Sequence, residues 1–304
     1  MNILVLGGNG FLGSHLVDKL VEAGNRVRVF DRSPDPFRPP LPQVEYVTGS
    51  FNDQSLLAES LVGIDVVAHL ISTTVPSTSN LDPIADIEGN LIATVNLLKL
   101  MKLQNVNKIV YLSSGGTVYG VPKTSPIPET HPLHPISSYG IVKVAIENYL
   151  YMAHQSNGLE YAILRASNPY GPRQGHSGVQ GVIATFLSNI KNNRTIEIWG
   201  DGEVVRDFIY ITDMAALIDK VINSDKQGCY NAGYGEGSSI NQILEHIKNN
   251  IDIEVKTKYL DKRVFDVPHV VLDNRLAMND FDWQPVTAID KGIAQTWNWL
   301  QDLK

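Results

Sequence analysis

The chain has 304 residues, of which 43% are hydrophobic and 19% charged, and its formal net charge is −7. This composition excludes a disordered chain and argues against sequence-independent binding of nucleic acid. The single cysteine, Cys229, excludes a disulfide within the chain and predicts a reducing, cytoplasmic environment. We expect no membrane span, because no apolar run is long enough, and no metal site, because the eight histidines show no ligand spacing.

The first half of the chain alternates short apolar runs with amphipathic segments. The runs predict strands at 2–7, 26–30, 65–70, 108–114 and 160–165, with helices at 11–23, 84–104 and 137–156. Nearly continuous apolar strands are typical of a parallel sheet that is buried on both faces. The pattern therefore predicts an α/β fold of the Rossmann type, with a doubly wound parallel sheet.

The alternation loosens after about residue 170. We interpret 1–170 as a Rossmann domain, to which parts of the later chain return, and 171–304 as a smaller mixed α/β lobe with a cleft between the two. The Pro-rich segment 33–42 predicts a surface loop. The later predictions are a strand in RDFIYI (206–211), a buried strand in GCYNAG (228–233), and helices near 180–192, 212–223, 238–250 and 287–300.

A glycine-rich segment, GGNGFLG, joins the first predicted strand to the first predicted helix. Gly7, Gly10 and Gly13 would let the backbone turn tightly and approach a pyrophosphate at the positive end of the helix. Asp31, just past the second strand, can accept hydrogen bonds from an adenosine ribose and would repel a 2′-phosphate. We therefore expect NAD rather than NADP, with Arg32 as the residue that could favour NADP instead. The alternative is a glycine-rich turn that holds no ligand.

Tyr139 and Lys143 lie in the segment SSYGIVK, on a predicted helix. Residues four apart on a helix share one face, so the two side chains could act together in proton transfer. The spacing alone is equally compatible with a tyrosine packed under a lysine side chain at the surface.

The segments GGNGFLG, SSGGTVYG (113–120) and YGIVK, in this order, resemble the extended short-chain dehydrogenase/reductase family, in its NAD-dependent epimerase/dehydratase branch. The resemblance implies that Tyr139 is the general base and acid. It also implies that Lys143 binds the nicotinamide ribose and, with the positive nicotinamide, depresses the pKa of Tyr139. The smaller lobe would then bind substrate.

Further segments resemble the contacts that this family makes with its cofactor and its sugar nucleotide. The segment GSFND (49–53) departs from the usual adenine contact, and we expect Phe51 to cover one face of the adenine. The implied cofactor contacts are Gly7, Gly10, Phe11, Leu12, Gly13, Asp31, Arg32, Ser50, Phe51, Leu70, Asn90, Ser113, Tyr139 and Lys143. The implied substrate contacts are Thr117, Asn168, Arg206, Arg263, Asp266 and Val270, and the two arginines would hold the diphosphate.

The loop SSGGTVYG departs from the pattern of the resembled epimerases at Gly115, where they carry a serine that donates a hydrogen bond to the substrate's 4-oxygen. Thr117 and Ser114 are the remaining hydroxyls, and Thr117 is our first choice. Related dehydratases and decarboxylases carry an acidic residue just before V-Y-G, where this chain has Gly116 and Thr117. Elimination therefore lacks its proton donor, and epimerisation remains.

The resemblance thus implies an NAD-dependent nucleotide-sugar 4-epimerase that acts on a UDP-hexose or UDP-N-acetylhexosamine through a 4-keto intermediate. Val270, smaller than the tyrosine of narrow hexose enzymes, would leave room for an acetamido group. The alternatives are a nucleotide-sugar ketoreductase with the same Tyr and Lys, and a non-catalytic NAD-binding sensor. The family also implies a homodimer formed through helices 84–104 and 137–156.

Overall fold

The computed structural model describes residues 1–175, 181–251, 253, 255–261 and 267–303. Its main feature is a seven-stranded sheet in which every pairing is parallel, in the order β10, β6, β5, β4, β1, β2, β3. The strands are β1 (Asn2–Leu6), β2 (Arg26–Asp31), β3 (Val44–Thr48), β4 (Val66–His69), β5 (Lys108–Ser114), β6 (Glu160–Ala166) and β10 (Gly228–Ala232). This confirms the predicted Rossmann-type fold.

Helices cover both faces of this sheet. The helices are α1 (Phe11–Glu22), α2 (Gln54–Ser60), α3 (Pro83–Asp86), α4 (Ala93–Leu103), α5 (Ser138–Asn157), α6 (Val182–Lys191), α7 (Ile211–Ile222), α8 (Ile240–Asn250), α9 (Arg275–Phe281) and α10 (Ile289–Asp302). A π-helical segment, Ile87–Ile92, joins α3 to α4. The predicted helix 84–104 is therefore continuous, with π-helical hydrogen bonding over residues 87–92.

Alternating residues of β1 enter two separate apolar layers, as expected for a strand with both faces buried. Ile3 and Val5 belong to the layer that includes residues of α1 and α7. Leu4 and Leu6 belong to the layer that includes residues of α2, α4 and α5.

The later part of the chain adds smaller sheets and returns once to the main one. α7 packs on α1, and β10 forms the seventh strand beside β6. The remaining strands are β7 (Asn168–Tyr170), β8 (Ile196–Trp199), β9 (Val205–Tyr210), β11 (Gly237–Ser239), β12 (Thr257–Leu260) and β13 (His269–Val270). β9 pairs with β7, β11 and β13, and β8 pairs with β12.

The segments that follow β1, β4, β5 and β6 leave the sheet at one edge, because parallel strands end on the same side. The glycine loop, the loop after β4 and the SSGGTVYG loop therefore meet there. Within the described part of the chain, no helix is long and apolar enough to cross a membrane.

Candidate active site

The glycine loop forms a tight junction between β1 and α1. Gly7 has a φ of +85°, and Gly10 precedes the first turn of α1 without a side chain that could cap it. A Cβ at Gly13 would lie 2.0 Å from the Gly7 carbonyl oxygen and 2.7 Å from the Gly8 Cα, so only glycine fits. The unfilled cap leaves the first N–H groups of α1 directed towards a bound anion.

The end of β2 brings Asp31 against this loop. Its carboxylate accepts a hydrogen bond of 3.0 Å from the Asn9 backbone N–H, while Arg32 is exposed. An open helix end, a glycine junction and a neighbouring carboxylate fit the pyrophosphate and ribose of a dinucleotide.

The other predicted cofactor contacts occupy different environments. Ser50 is exposed and Leu70 half-buried, whereas the Phe51 side chain lies in the core against the His69 ring. Phe51 therefore offers the adenine little of its ring face. Ser113 is buried and donates to Glu147, so its hydroxyl also faces the protein interior.

Lys143 is held one helical turn from Tyr139 on α5, as the spacing predicts. Its ammonium donates to the Leu112 carbonyl oxygen at 2.9 Å and lies 5.4 Å from the centroid of the Tyr139 ring. Burial lowers the pKa of Lys143 to about 8, whereas the negative charges of Glu147 and Asp86 raise it. The lysine is thus a buried donor whose pKa lies below its ordinary value.

Tyr139 is half-buried, and the side chains of Ser72 and Ser114 lie close enough to its hydroxyl to influence its pKa. Burial raises the pKa of Tyr139 to about 12, the hydroxyls of Ser72 and Ser114 lower it, and the charge of Asp86 raises it. The Thr117 hydroxyl instead donates to the Ser114 carbonyl oxygen at 3.5 Å. Of the two loop hydroxyls predicted from the sequence, Ser114, our second choice, is the one that acts on the pKa of Tyr139.

Gly115 lacks a side chain for a steric reason. A Cβ there would lie 2.5 Å from the Leu272 Cδ1 and 3.0 Å from the Arg165 carbonyl oxygen. Leu272 is fully buried, so it cannot turn out into solvent to make room. A serine at this position would require the buried Leu272 side chain to shift.

Three of the predicted substrate contacts, Asn168, Arg206 and Val270, lie on strands β7, β9 and β13. The Asn168 amide donates to the Asp207 carbonyl oxygen at 2.9 Å, and Arg206 donates to the carbonyl oxygens of Val205 and Val267. Val270 is 3% exposed. Its side chain belongs to a buried apolar cluster with Val118, Tyr119, Ile127 and Leu272. Arg263 and Asp266 lie outside the described residues.

The model of the NAD dependent epimerase/dehydratase family matches residues 3–233. The chain belongs to this family. It is a branch of the extended short-chain dehydrogenases/reductases, and the cofactor is NAD.

Several relatives of known name match almost the whole chain. A putative UDP-glucose 4-epimerase of Methanocaldococcus jannaschii is 35% identical over 302 residues, which cover 99% of this chain and 98% of the relative. A dTDP-4-dehydro-6-deoxyglucose reductase of Escherichia coli is 34% identical, over 96% of this chain and 95% of the relative.

Two solved structures have the same fold over their full length. The Thermotoga maritima UDP-glucose 4-epimerase with UDP-glucose has a TM-score of 0.95 and 34% identity, and covers 99% of both chains. The Methanobrevibacter ruminantium UDP-N-acetylglucosamine 4-epimerase, in complex with UDP-N-acetylmuramic acid, has a TM-score of 0.94 and 31% identity, over 100% of this chain and 99% of that one.

Sequence reasoning missed three side chains that lie near Tyr139 or Lys143: Ser72, Asp86 and Glu147. Glu147 lies one turn beyond Lys143 on α5 and pairs with buried Arg165 at 2.7 Å. Asp86 and Glu147 contact side chains of distant segments, which no local motif reveals. The i, i+4 spacing of Lys143 and Glu147 was the one available signal.

Proposed function

We propose that this protein is an NAD-dependent 4-epimerase of UDP-hexoses. The observation that carries the proposal is the position of Tyr139, whose ring centroid lies 5.4 Å from the buried ammonium of Lys143, one turn away on α5, at the sheet edge that carries the glycine loop. The epimerase names of the compared proteins support the same activity.

The side chains would divide the reaction as follows. Tyr139 removes the proton of the sugar's 4-hydroxyl and later returns it, and Ser114 donates a hydrogen bond to the 4-oxygen. Lys143 stabilises the tyrosinate by its charge and binds the nicotinamide ribose. Bound NAD supplies the reversible uptake of hydride from C4, so the sugar passes through a 4-keto intermediate.

The diphosphate must stay bound while the sugar rotates, so that its opposite face meets the nicotinamide. We assign the binding of the diphosphate to Arg206, Arg263 and Asn168. Each of the two guanidinium groups can bind two phosphate oxygens at once. The 4-keto intermediate then stays bound, so the return of hydride to C4 takes place at a high effective concentration.

The sugar is less narrowly defined than the reaction. Both a UDP-hexose and a UDP-N-acetylhexosamine suit the family, and the compared structures include one enzyme named for each. Val270 is packed in the apolar cluster. It would therefore act on the C2 substituent of the sugar indirectly, by setting the position of that cluster. We give UDP-glucose first place.

The second candidate is a nucleotide-sugar 4-ketoreductase, which the similarity to the Escherichia coli reductase favours. It would use the same tyrosine and lysine but consume reduced cofactor. A reductase needs free exchange of cofactor, whereas an epimerase regenerates it in every turnover.

Proton NMR of the purified protein decides between the two. We expect UDP-glucose to convert to UDP-galactose without added cofactor, and the panel should include UDP-N-acetylglucosamine and UDP-glucuronate. No conversion of any UDP-sugar, together with stoichiometric oxidation of NADH or NADPH by a dTDP-4-keto sugar, would establish the reductase instead.

We also propose a homodimer and a cytoplasmic location. The dimer is supported by exposed apolar residues on α4 and α5, and the location by the single cysteine.

A further inference from the structure

A buried carboxylate lies beside the reacting tyrosine. Asp86, the last residue of α3, is 0% exposed. Its carboxylate accepts hydrogen bonds from the Thr74 hydroxyl at 2.6 Å, the Asn90 amide at 2.9 Å and the Ser138 hydroxyl at 2.7 Å. Among the described residues, no basic side chain forms an ion pair with it. Burial of a carboxylate that forms no ion pair is costly, which marks the position as one with a specific task.

The three donors belong to three segments that meet at Tyr139. Thr74 lies in the loop after β4, two residues beyond Ser72, whose own hydroxyl donates to the Thr74 carbonyl oxygen at 3.0 Å. Ser138 immediately precedes Tyr139 in the first turn of α5. Through Asp86, the loop that supplies Ser72 and the helix that supplies Tyr139 are tied to one carboxylate.

A second set of contacts joins the same loop to the same helix turn. The Ser79 hydroxyl accepts from the Tyr139 backbone N–H at 3.1 Å, and the Asn80 side chain accepts from the Ser138 N–H at 2.8 Å. These contacts fix the backbone of Tyr139, whereas the Asp86 contacts fix the loop relative to it.

We propose that Asp86 is a positioning residue whose buried carboxylate holds Tyr139 against the Ser72 loop and acts on the tyrosine through its charge. The proposal rests on the proposed role of Tyr139 as the base. Asp86 touches neither substrate nor cofactor in this account. Its effect is to set the geometry and the proton affinity of the residue that does.

Among the residues that the structure describes, few charged and titratable groups face Tyr139. They are Asp86, Lys143 and Tyr111; burial keeps Tyr111 protonated, with a pKa well above its ordinary value. His69 packs against Tyr111 and is neutral, since burial and then the charge of Lys143 lower its pKa to about 3. Asp86 is therefore the anion that disfavours the tyrosinate, and loss of its charge should lower the pKa of Tyr139.

The test compares Asp86→Asn with a matched control, Glu88→Gln. Asparagine keeps the shape of the carboxylate and removes its charge, and Glu88 is an exposed acid two residues further along the same helix. The readout is the ultraviolet absorbance of tyrosinate during a pH titration of the NAD-bound protein, with Tyr139→Phe subtracted to isolate Tyr139. We expect the Tyr139 step to move to lower pH in Asp86→Asn and to stay in place in Glu88→Gln.

Turnover adds a second readout. We expect Asp86→Asn to lose roughly tenfold or more at the wild-type optimum, because displacement of a catalytic group is costly. A Tyr139 step that stays in place in Asp86→Asn overturns this proposal alone. The lack of any step that Tyr139→Phe removes overturns the role of Tyr139, and this proposal with it.

Should Asp86→Asn fail to fold, Ser138→Ala serves in its place, since it keeps the charge and removes one donor. We then expect lower turnover without a shift of the Tyr139 step to lower pH. Unchanged turnover of Ser138→Ala would overturn the positioning role.

Discussion

The tyrosine hydroxyl is the group on which the proposed chemistry depends. We expect Tyr139→Phe to reduce turnover by on the order of a hundredfold or more, because it removes the acid and base while it preserves the ring. A coupled assay of UDP-galactose formation measures this loss. NAD content and the melting temperature should match the wild type, and a variant that keeps near wild-type turnover would show that another group is the base.

Asp31 leads to a prediction about the cofactor itself. Its carboxylate is fixed beside the glycine loop by the Asn9 N–H, where a 2′-phosphate would meet a negative charge. We expect NAD to bind much more tightly than NADP in calorimetric titration of protein stripped of cofactor. Asp31→Asn should narrow this difference, and equal affinities in the wild type would contradict the assignment.

Residues of the candidate site could be predicted from the sequence where they lie in a short local motif. Tyr139, Lys143 and the spaced glycines lie in short motifs. Ser72 and Asp86 act on a residue more than fifty positions away in the sequence, and their types are ordinary in a loop and a helix. The choice between Thr117 and Ser114 required the direction of a hydroxyl, which only the packed loop determines.

The long helix α5 carries the site at its first turn and an ion pair further along. Ser137 caps its start by accepting from the Gly140 N–H, and Gly158, with a φ of +70°, ends it. These signals and the amphipathic pattern explain why 137–156 was predicted so closely. β3 was missed because its five residues follow directly on a Pro-rich loop.

The Glu147–Arg165 pair joins α5 to β6 beneath the catalytic turn. Both side chains are 5% exposed, so Glu147→Gln would leave a buried guanidinium without its counter-ion. We expect the free energy of unfolding to fall by about 3–5 kcal/mol, measured by urea denaturation. The matched control is Glu45→Gln, which breaks an ion pair whose glutamate is 58% exposed. It should cost less than about 1 kcal/mol, and equal losses would contradict a structural role for the buried pair.

At the scale of the whole molecule, the adjacent helices α4 and α5 present apolar side chains to solvent. Leu103 is 74% exposed and Met152 52%, and Ile92 and Ile141 lie three turns from them on the same helix faces. We expect a homodimer by light scattering after size-exclusion chromatography. Leu103→Asp combined with Met152→Asp should give a monomer, whereas Leu276→Asp, exposed on α9, should not. A monomeric wild type would contradict the prediction.

The general architecture was predictable because strand and helix periodicities alternate through the first half of the chain. The return of α7 and β10 to the main sheet was foreseen only in outline, since pairing between β10 and β6 depends on contacts across sixty residues of intervening chain. The pairing of Gly115 with Leu272 was hidden for the same reason. It explains why a catalytic serine is absent from a loop that otherwise keeps its motif.

The central claim is that the hydrogen on C4 leaves and returns within one bound complex. The most direct measurement is NMR of the product formed from UDP-glucose deuterated at C4, in ordinary water and without added cofactor. The account predicts UDP-galactose that retains deuterium at C4. A product that carries protium at C4, or a deuterated substrate that stays unchanged while reduced cofactor is consumed with a 4-keto sugar, would contradict it.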